Sequence, residues 1–360
     1  MTDLLIADGN YNIIGVVDIY EYLMWERRFY QAGYFELHAP ATDNNLTLLR
    51  QGNFIFKGNA SENGIIKYIN VTDEGDGKVT ITASGYFLSY LLHGHIVKNR
   101  VSFTDTAENI MRSLVESTVM NEYSEDYIPY IRLGEKKGIT KVITFTTEYT
   151  DLHTALSEIS KQSGVGFILR ADLNEKLLYF ECYEGLDRSA EQTANPQVIF
   201  SPRYDTILSS PTYTDDDTVT VNAAVAFYSG SLGRVVVEYN PEKKTGTEKK
   251  AVAVRGQAVT YTTEGGGQAL DVAATQVALL ALAKEQIKSR TSRFTSSVSF
   301  TGNLEYKKSY DIGDIVTTEY PDWQVSLTQR IHKVTEIYDS VGTEVIPELG
   351  DVWPKGKDDE

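Results

Sequence analysis

The sequence predicts a mainly β fold with an α+β portion, and three observations support that prediction. The chain of 360 residues contains 23 Tyr and 13 Phe with many Val, Ile and Thr, residues that fit pleated, half-buried strands. Turn signals recur roughly every 8–12 residues in the first part of the chain, as in barrels and sandwiches. Hydrophobic residues make up 41% of the chain, which is enough to form cores and excludes wholesale disorder.

Changes of pattern along the chain predict three domains and a tail. We assign residues 1–100 to a first β-barrel-like domain and residues 101–205 to a peripheral α+β domain inserted after it. Residues 206–345 form a second β-barrel-like domain that contains one long helix, and residues 346–360 are a polar tail. Two or three domains agree with the usual domain size of roughly 100–200 residues.

The first domain reads as short strands joined by tight turns. The turn at residues 8–10 (Asp-Gly-Asn) separates the apolar stretches 4–7 and 13–19, which indicates a hairpin. Residues 79–84 alternate apolar and polar side chains, the pattern of a strand with one buried face.

Helix signals mark the α+β domain. Asp105 is in position to cap a helix, with Glu108 three residues later, as in a capping box. A second helix begins near Asp151 and ends at Gly164, which stands where a C′ glycine belongs. A hairpin over residues 165–183 follows.

The second barrel-like domain carries the longest predicted helix. Three glycines at residues 265–267 end a strand pattern, and residues 268–289 are rich in strong helix formers without Gly or Pro. Strands are predicted at residues 295–301, 315–319 and 324–338.

Charge and cysteine content exclude several classes of protein. The formal net charge is -16, and such a surface repels nucleic-acid phosphates. Cys182 is the single cysteine, so no internal disulfide forms and folding in a reducing cytoplasm is expected. We interpret it as a small buried apolar residue. No apolar run reaches the roughly 18 residues that span a bilayer, and the first residues do not resemble a signal peptide.

The residue patterns that could support chemistry each have a simpler explanation. His93 and His95 could face one metal ion from a strand, but no cysteine or suitably spaced carboxylate accompanies them, so we interpret them as solvated loop residues. The glycines at 265–267 lack the Lys-Ser/Thr of a phosphate-binding loop, and the acidic run 215–217 lacks the spacing of a calcium loop. We therefore predict no catalytic, cofactor-binding or metal-binding residues and no enzyme activity.

Three segments together resemble the baseplate hub at the tail tip of siphophages and prophages. Residues 151–167 are a helix followed by a strand that begins after a glycine. Residues 310–316 are a Gly-Asp turn that leads into a strand. Residues 20–29 form an aromatic-rich strand that leads to residues 33–37. The chain is thus similar to the N-terminal hub part of tail-associated (Tal-like) proteins.

This resemblance implies a virion structural protein, made in the host bacterial cytoplasm and located at the tail tip. It implies a homotrimeric ring that closes the tail tube, joins it to the baseplate or tail fibre and leaves a lumen for transient passage of DNA. The implied partners are distal tail and tail tube proteins, the tape-measure protein and the host cell surface, with no membrane span and no cofactor. An acidic lumen wall agrees with this role, because it repels phosphates.

Two other functions remain as alternatives. A receptor- or carbohydrate-binding module of the same particle would need aromatic side chains clustered on an exposed face. A cell-wall hydrolase would need two convergent carboxylates or a metal site in a cleft, and the sequence does not single out such a pair.

Overall fold

The computed structural model separates into two compact units. Unit 1 comprises Met1–Thr212 with Phe294–Glu360, and unit 2 comprises Tyr213–Arg293. The structure describes residues 3–58, 60–73, 75, 77–206, 209–216, 218, 220–287, 291–297 and 304–351. The predicted three-domain division is finer than these two units, and it stays a prediction.

The first β segment of unit 1 consists of strands and one short helix. They are β1 (Leu4–Ala7), β2 (Ile13–Val17), β3 (Tyr22–Arg28), β4 (Tyr34–Pro40), α1 (Asp43–Leu48), β5 (Phe54–Lys57), β6 (Gly64–Asp73) and β7 (Val79–Phe87). The alternation predicted over residues 79–84 lies in β7, where Ile81 and Ala83 are buried.

The α+β segment of unit 1 follows. Its elements are β8 (Ile96–Val97), β9 (Val101–Thr106), α2 (Ala107–Val119), β10 (Ile131–Leu133), β11 (Val142–Thr147), β12 (Thr150–Asp151), α3 (Leu152–Ser163), β13 (Gly166–Asp172) and β14 (Leu177–Tyr183). The predicted hairpin is confirmed, because β13 pairs with β14 in antiparallel register. The second predicted helix is also confirmed: Asp151 caps α3 and Gly164 ends it at φ 71°.

The remaining elements complete both units. They are β15 (Ile199–Phe200), β16 (Ser209–Asp216), β17 (Ala223–Gly230), β18 (Gly233–Tyr239), β19 (Ala251–Arg255), β20 (Thr260–Thr262), β21 (Gln268–Leu270), α4 (Val272–Glu285), β22 (Thr291–Ser297), β23 (Ile315–Tyr320), β24 (Val325–Asp339) and β25 (Thr343–Asp351). Short 3₁₀ helices lie at Leu88–Leu92, Pro202–Tyr204, Gly246–Glu248 and Pro321–Trp323.

One antiparallel sheet joins the beginning and the end of the chain in unit 1. Its strand order includes β25-β24-β3-β4-β7-β6-β5-β1-β2, and β24 pairs with β3 from Lys333 opposite Arg28 to Asp339 opposite Tyr22. The mainly β class with an α+β portion is confirmed. In the described part of the chain the sheets are open, and none closes into a barrel.

The sheet has one apolar face, which is the core of the first β segment. Leu23, Trp25, Phe35 and Leu37 alternate along β3 and β4 and are fully buried, since successive strand residues point to opposite faces. A second core lies between α2, α3 and the β13–β14 hairpin. Its helix residues include Ile110, Met111, Leu114, Ala155, Leu156 and Ile159.

The start of α2 differs from the prediction by one residue. The cap is Thr106, whose side chain accepts a hydrogen bond from the Asn109 amide. Asp105 instead accepts from the Asn109 side chain. Glu108 is fully buried and accepts from the backbone amides of Lys137 and Ile139, so it holds a loop in place rather than closing a capping box.

The long helix of the second predicted barrel domain is shorter than predicted. It was expected over residues 268–289, but α4 spans Val272–Glu285. Gln268–Leu270 forms β21 and pairs with β20 across the glycine turn. The Asp271 side chain accepts from the Ala274 amide and caps α4. Helix propensity therefore yields to strand pairing on one side of a capping residue.

Candidate functional surface

The second face of the sheet in unit 1 is polar, and several of its side chains, among them Glu26, Ser84 and Glu348, are largely buried. Strand register aligns its side chains in rows across β24, β3, β4, β7 and β6. One row contains Asp339, Tyr22, His38, Thr82 and Asn70, and the next contains Ile337, Met24, Glu36, Ser84 and Tyr68. We call this surface the polar face.

The polar face carries more carboxylates than cations. Its carboxylates are Glu26, Glu36, Asp339, Glu344 and Glu348, and its cations are Arg28, Lys67 and Lys333. Taking His38 as neutral, the formal charge of this set is -2. The face therefore contributes a negative potential from a rigid sheet, and such a potential repels polyanions.

Several of these charges are paired on the face itself. Lys333 Nζ lies 2.7 Å from Glu348 Oε2, and His332 Nε2 lies 3.2 Å from Glu348 Oε1. Burial opposes ionisation of Glu348, but these hydrogen bonds outweigh it and lower its pKa to about 2. Glu348 is thus anionic under all ordinary conditions. Glu36 lies 2.7 Å from His38 Nε2.

A buried ionic cluster lies behind the sheet. Arg27 Nε contacts Glu62 at 2.7 Å, and Arg27 Nη1 contacts both Asp311 and the Tyr306 hydroxyl at 2.7 Å. Burial opposes the charge on Arg27, but Glu62, Tyr306 and Asp311 together outweigh it and hold the Arg27 pKa well above its usual range. The cluster ties β3 to the segment before β23, since a buried charge is costly without partners.

A second buried ion pair joins β5 to β24. Lys57 Nζ lies 2.7 Å from Glu336 Oε2 and donates to the Tyr338 hydroxyl at 3.1 Å. Burial lowers the pKa of Lys57 to about 8 although Glu336 opposes this shift. Lys57 and Lys307 overcome the effect of burial on Glu336 and lower its pKa. The first β segment and strand β24 are therefore linked by side chains as well as by strand pairing.

The Gly-Asp turn at residues 310–316 has a defined structural role. Asp314 is 4% exposed. Its Oδ1 accepts from the Leu186 amide at 2.7 Å, and its Oδ2 accepts from Arg188 Nε at 2.9 Å and from the Asp311 amide at 3.0 Å. This carboxylate connects the chain leaving the α+β segment to the start of β23.

Glycine is required on both sides of this junction. Gly313 has φ 92°, a left-handed conformation that other residues adopt with strain. A Cβ added at Gly185 would lie 1.9 Å from the carbonyl carbon of Gly313. The two backbones therefore touch at Gly185, whereas a Cβ at Gly313 would lie 2.5 Å from the Phe29 ring.

The histidine pair singled out by the sequence does not converge. His93 Nδ1 lies 3.2 Å from Asp151, whereas His95 Nδ1 lies 3.3 Å from Asp126. Both carboxylates have other partners: Asp151 caps α3, and Asp126 also binds Lys98 at 3.0 Å. No group of three potential metal ligands occurs among the described residues.

The other sequence candidates have structural positions. Cys182 is fully buried in β14, and burial raises its pKa to about 12. Gly265, Gly266 and Gly267 turn the β20–β21 hairpin instead of opening a helix. The side chains of the acidic run at 215–217 lie outside the described residues. In the described part of the chain, no helix is long and apolar enough to cross a membrane.

The comparison with protein families identifies the chain. Residues 3–351 match the family described as Siphovirus ReqiPepy6 Gp37-like protein. The chain belongs to this siphovirus tail protein family. The resemblance to phage tail proteins, inferred from three segments, is therefore confirmed over nearly the whole length. The comparison with curated proteins finds no match.

Solved structures share the fold of this family member. A tail protein from Neisseria meningitidis aligns with TM-score 0.57 at 15% identity, covering 98% of both chains. The 43 kDa tail protein of prophage MuSo2 from Shewanella oneidensis aligns with TM-score 0.57 at 11% identity, covering 96% of this chain and 98% of that one. Prophage tail protein gp18 from Listeria monocytogenes aligns with TM-score 0.53 at 10% identity, covering 98% of this chain and 95% of that one.

Sequence reasoning missed the residues that organise this surface. In the sequence Asp314 stands out only as part of a turn pattern and Arg27 only as part of an aromatic-rich strand, and neither Glu62 nor Lys57 was predicted to have a role. Arg27 and Lys57 stand within strand-like stretches, and charged residues among core residues were the available signal, because such residues are rarely fully buried unless paired. Their partners lie more than 250 positions away in two cases, so the pairing itself was not visible.

Proposed function

We propose that this phage tail protein is a structural hub at the distal end of the tail, where three copies form a ring that closes the tail tube. In this proposal the ring joins the tube to the baseplate or tail fibre, and the polar face lines the lumen through which DNA passes. Its other partners are distal tail and tail tube proteins, the tape-measure protein and the host cell surface. The role is structural and not catalytic.

The observation that carries the proposal is the polar face itself. A sheet with one buried face normally leaves a solvated second face, but here that face extends without interruption from β25 to β6. Its net negative charge suits a wall past which DNA slides without binding. Cross-strand pairs and the two buried ion pairs behind it provide rigidity.

The proposed domain division supports the stoichiometry. Residues 1–100 and 206–345 would supply two β modules per chain, so three chains would present six modules to a sixfold tail tube. β24 pairs with β3, and this pairing supports the proposal because one strand from each proposed module belongs to the same sheet. A ring of three such sheets would offer six neighbouring strand groups around one axis.

Oligomeric state is the first test. The purified chain should have a mass of about three times 40.2 kDa by light scattering, and electron microscopy should show rings with the polar face toward the axis. A protein that stays monomeric at high concentration would refute the ring. Rings that carry the polar face outside would refute the lumen assignment while leaving the trimer intact.

Charge reversal tests the lumen in assembled phage. Glu36 lies on the polar face and is about one-third exposed, so Glu36→Lys should place three lysines in the lumen and slow DNA release. Glu122→Lys is the matched control, because Glu122 is exposed in the α+β segment and the change in net charge is identical. Equal rates of DNA release for both variants would contradict the proposed lumen.

A further inference from the structure

The outer edge of β6 is open along its distal half. β5 pairs with β6 only at Gly64 and Ile65, whereas β7 pairs with it as far as Asp73. Among the described residues no strand covers the outer edge from Tyr68 to Asp73. Residues 68–73 contain no Lys or Pro, and Tyr68 is 55% exposed. Such an edge promotes association unless another strand or loop covers it.

A shallow, largely open depression lies beside this open edge. Its lining residues are Leu46, Leu49, Ile69, Val71 and Ile81, together with Arg50 and Gln51. Leu49 and Ile81 are buried and form its base, whereas Leu46 and Val71 are 38% and 48% exposed. Because exposed apolar side chains cluster here with a concave shape, the depression can accept an aliphatic side chain.

The opposite flank of the same sheet presents an apolar side chain of suitable size. Val341 stands at the tip of the β24–β25 hairpin and is 93% exposed. The tip is held rigidly, because Asp339 Oδ1 accepts from the Val341 amide at 2.8 Å and from the Gly342 amide at 3.0 Å. The Asp339 amide in turn donates to the Gly342 carbonyl at 3.0 Å.

The two surfaces carry complementary charge. Carboxylates flank Val341, since Asp339 and Glu344 belong to the same hairpin tip. At the depression Arg50 is exposed, and in the described structure it has no carboxylate within ion-pair distance. Opposite charge across an interface steers association and fixes register.

Strand register places the two surfaces at the same height. Asp339 lies opposite Tyr22, Tyr22 opposite His38, His38 opposite Thr82, and Thr82 opposite Asn70. The hairpin tip and the open edge of β6 therefore end one row of the polar face, on opposite flanks. Copies placed side by side around an axis would bring the tip of one to the β6 edge of the next.

From these observations we propose a docking contact between copies of this chain. The tip of the β24–β25 hairpin of one copy seats Val341 in the apolar depression of the next copy, beside the open edge of β6. The contact is heterologous, which generates a closed ring when the rotation closes. This inference rests on the proposed ring and adds the surfaces that form it.

Cysteine pairing tests the contact directly. The variant Val341→Cys with Leu46→Cys should form intermolecular disulfides on mild oxidation and migrate as a trimer on a denaturing gel. Native Cys182 is buried and does not compete. Val341→Cys with Tyr123→Cys is the matched control, because Tyr123 is 98% exposed in the α+β segment, and it should not yield the trimer.

Charge reversal provides a second measurement. Arg50→Glu and Glu344→Lys should each raise the apparent dissociation constant of the ring about tenfold or more, since like charges then face each other. The double variant Arg50→Glu with Glu344→Lys should recover most of the loss. Both positions are exposed, so neither substitution should impair folding, as circular dichroism would verify.

The outcomes separate this contact from the proposed function. Trimers by light scattering without Val341–Leu46 crosslinks, or without rescue by the double variant, would overturn the docking contact and leave the ring standing. If the single variant Val341→Cys forms disulfide-linked dimers, the docking contact would also be overturned, because such dimers require two hairpin tips to meet. A chain that is monomeric at every concentration would overturn both proposals.

Discussion

Replacement of Asp314 by alanine tests the reasoning about the Gly-Asp turn. The side chain is 4% exposed and binds Arg188 Nε and two backbone amides. Asp314→Ala leaves a largely buried guanidinium without its carboxylate and two amides without acceptors. Breaking a buried ion pair from one side costs about 3–5 kcal/mol, and an orphaned buried amide costs about 1–3 kcal/mol. We expect a loss of at least about 3 kcal/mol.

The loss should appear in the free energy of unfolding measured with urea. Asp322→Ala is the matched control, because Asp322 is exposed and surface substitutions usually change stability by less than about 0.5 kcal/mol. The double variant Asp314→Ala with Arg188→Met should lose less than Asp314→Ala alone, since the stranded charge is then removed.

A small effect would refute this account of the turn. Suppose that the free energy of unfolding of Asp314→Ala differs from that of the unmodified chain by less than about 1 kcal/mol, which is roughly a fivefold change in the folding equilibrium. The carboxylate then does not join the α+β segment to β23. An equal loss of unfolding free energy in the single and double variants would show that the ion pair between Arg188 and Asp314 does not stabilise the fold. The Leu186 amide donates a hydrogen bond to Asp314, so hydrogen exchange at this amide offers a local measurement of the same contact.

Three further predictions follow from the described contacts. Gly185→Ala places a Cβ 1.9 Å from the Gly313 backbone and should cost about 1–3 kcal/mol or more, whereas Gly9→Ala meets nothing within 4 Å and should be neutral in the same urea titration. Because the folded pKa of Glu348 is about 2 and its ordinary value is 4.5, its stabilising contribution is complete above pH 4.5 and is lost as the pH falls toward 2. Glu348→Gln should therefore flatten the decline in melting temperature over that range, and an unchanged decline would contradict the Lys333 and His332 contacts. Cys182 should react with a thiol reagent only after unfolding, since burial raises its pKa to about 12, and rapid labelling of the native chain would contradict its position in the core.

Local signals predicted the elements that depend on neighbouring residues. Asp151 and Gly164 were recognised as the ends of α3 because a cap and a left-handed glycine act within one turn. The same kind of reasoning placed the cap of α2 at Asp105 instead of Thr106, since both residue types cap helices and only the structure shows that Thr106 accepts from the Asn109 backbone amide. For residues 268–270 helix propensity was overruled by pairing with β20.

The polar face, which we propose lines the lumen, was harder to predict from the sequence. Alternation along β3 or β4 indicates that one face is polar, but it does not reveal which strands lie beside it. His38 and Asp339 share a row of the polar face although 300 positions of chain separate them. The histidine pair shows the converse, because residues two apart in sequence bind different carboxylates.

The amino-acid sequence by itself determined the mainly β class, the helix of the α+β segment that Asp151 caps, the acidic character and the kinship with phage tail proteins. These depend on composition, short-range capping and alternation, which act over a few residues. Only the tertiary structure decided that β24 pairs with β3, that Arg27 and Lys57 are neutralised from the far end of the chain, and that Val341 and the β6 edge lie on opposite flanks of one sheet. The reason is physical: strand pairing and buried ion pairs form between residues that are distant in sequence, and only folding brings them together.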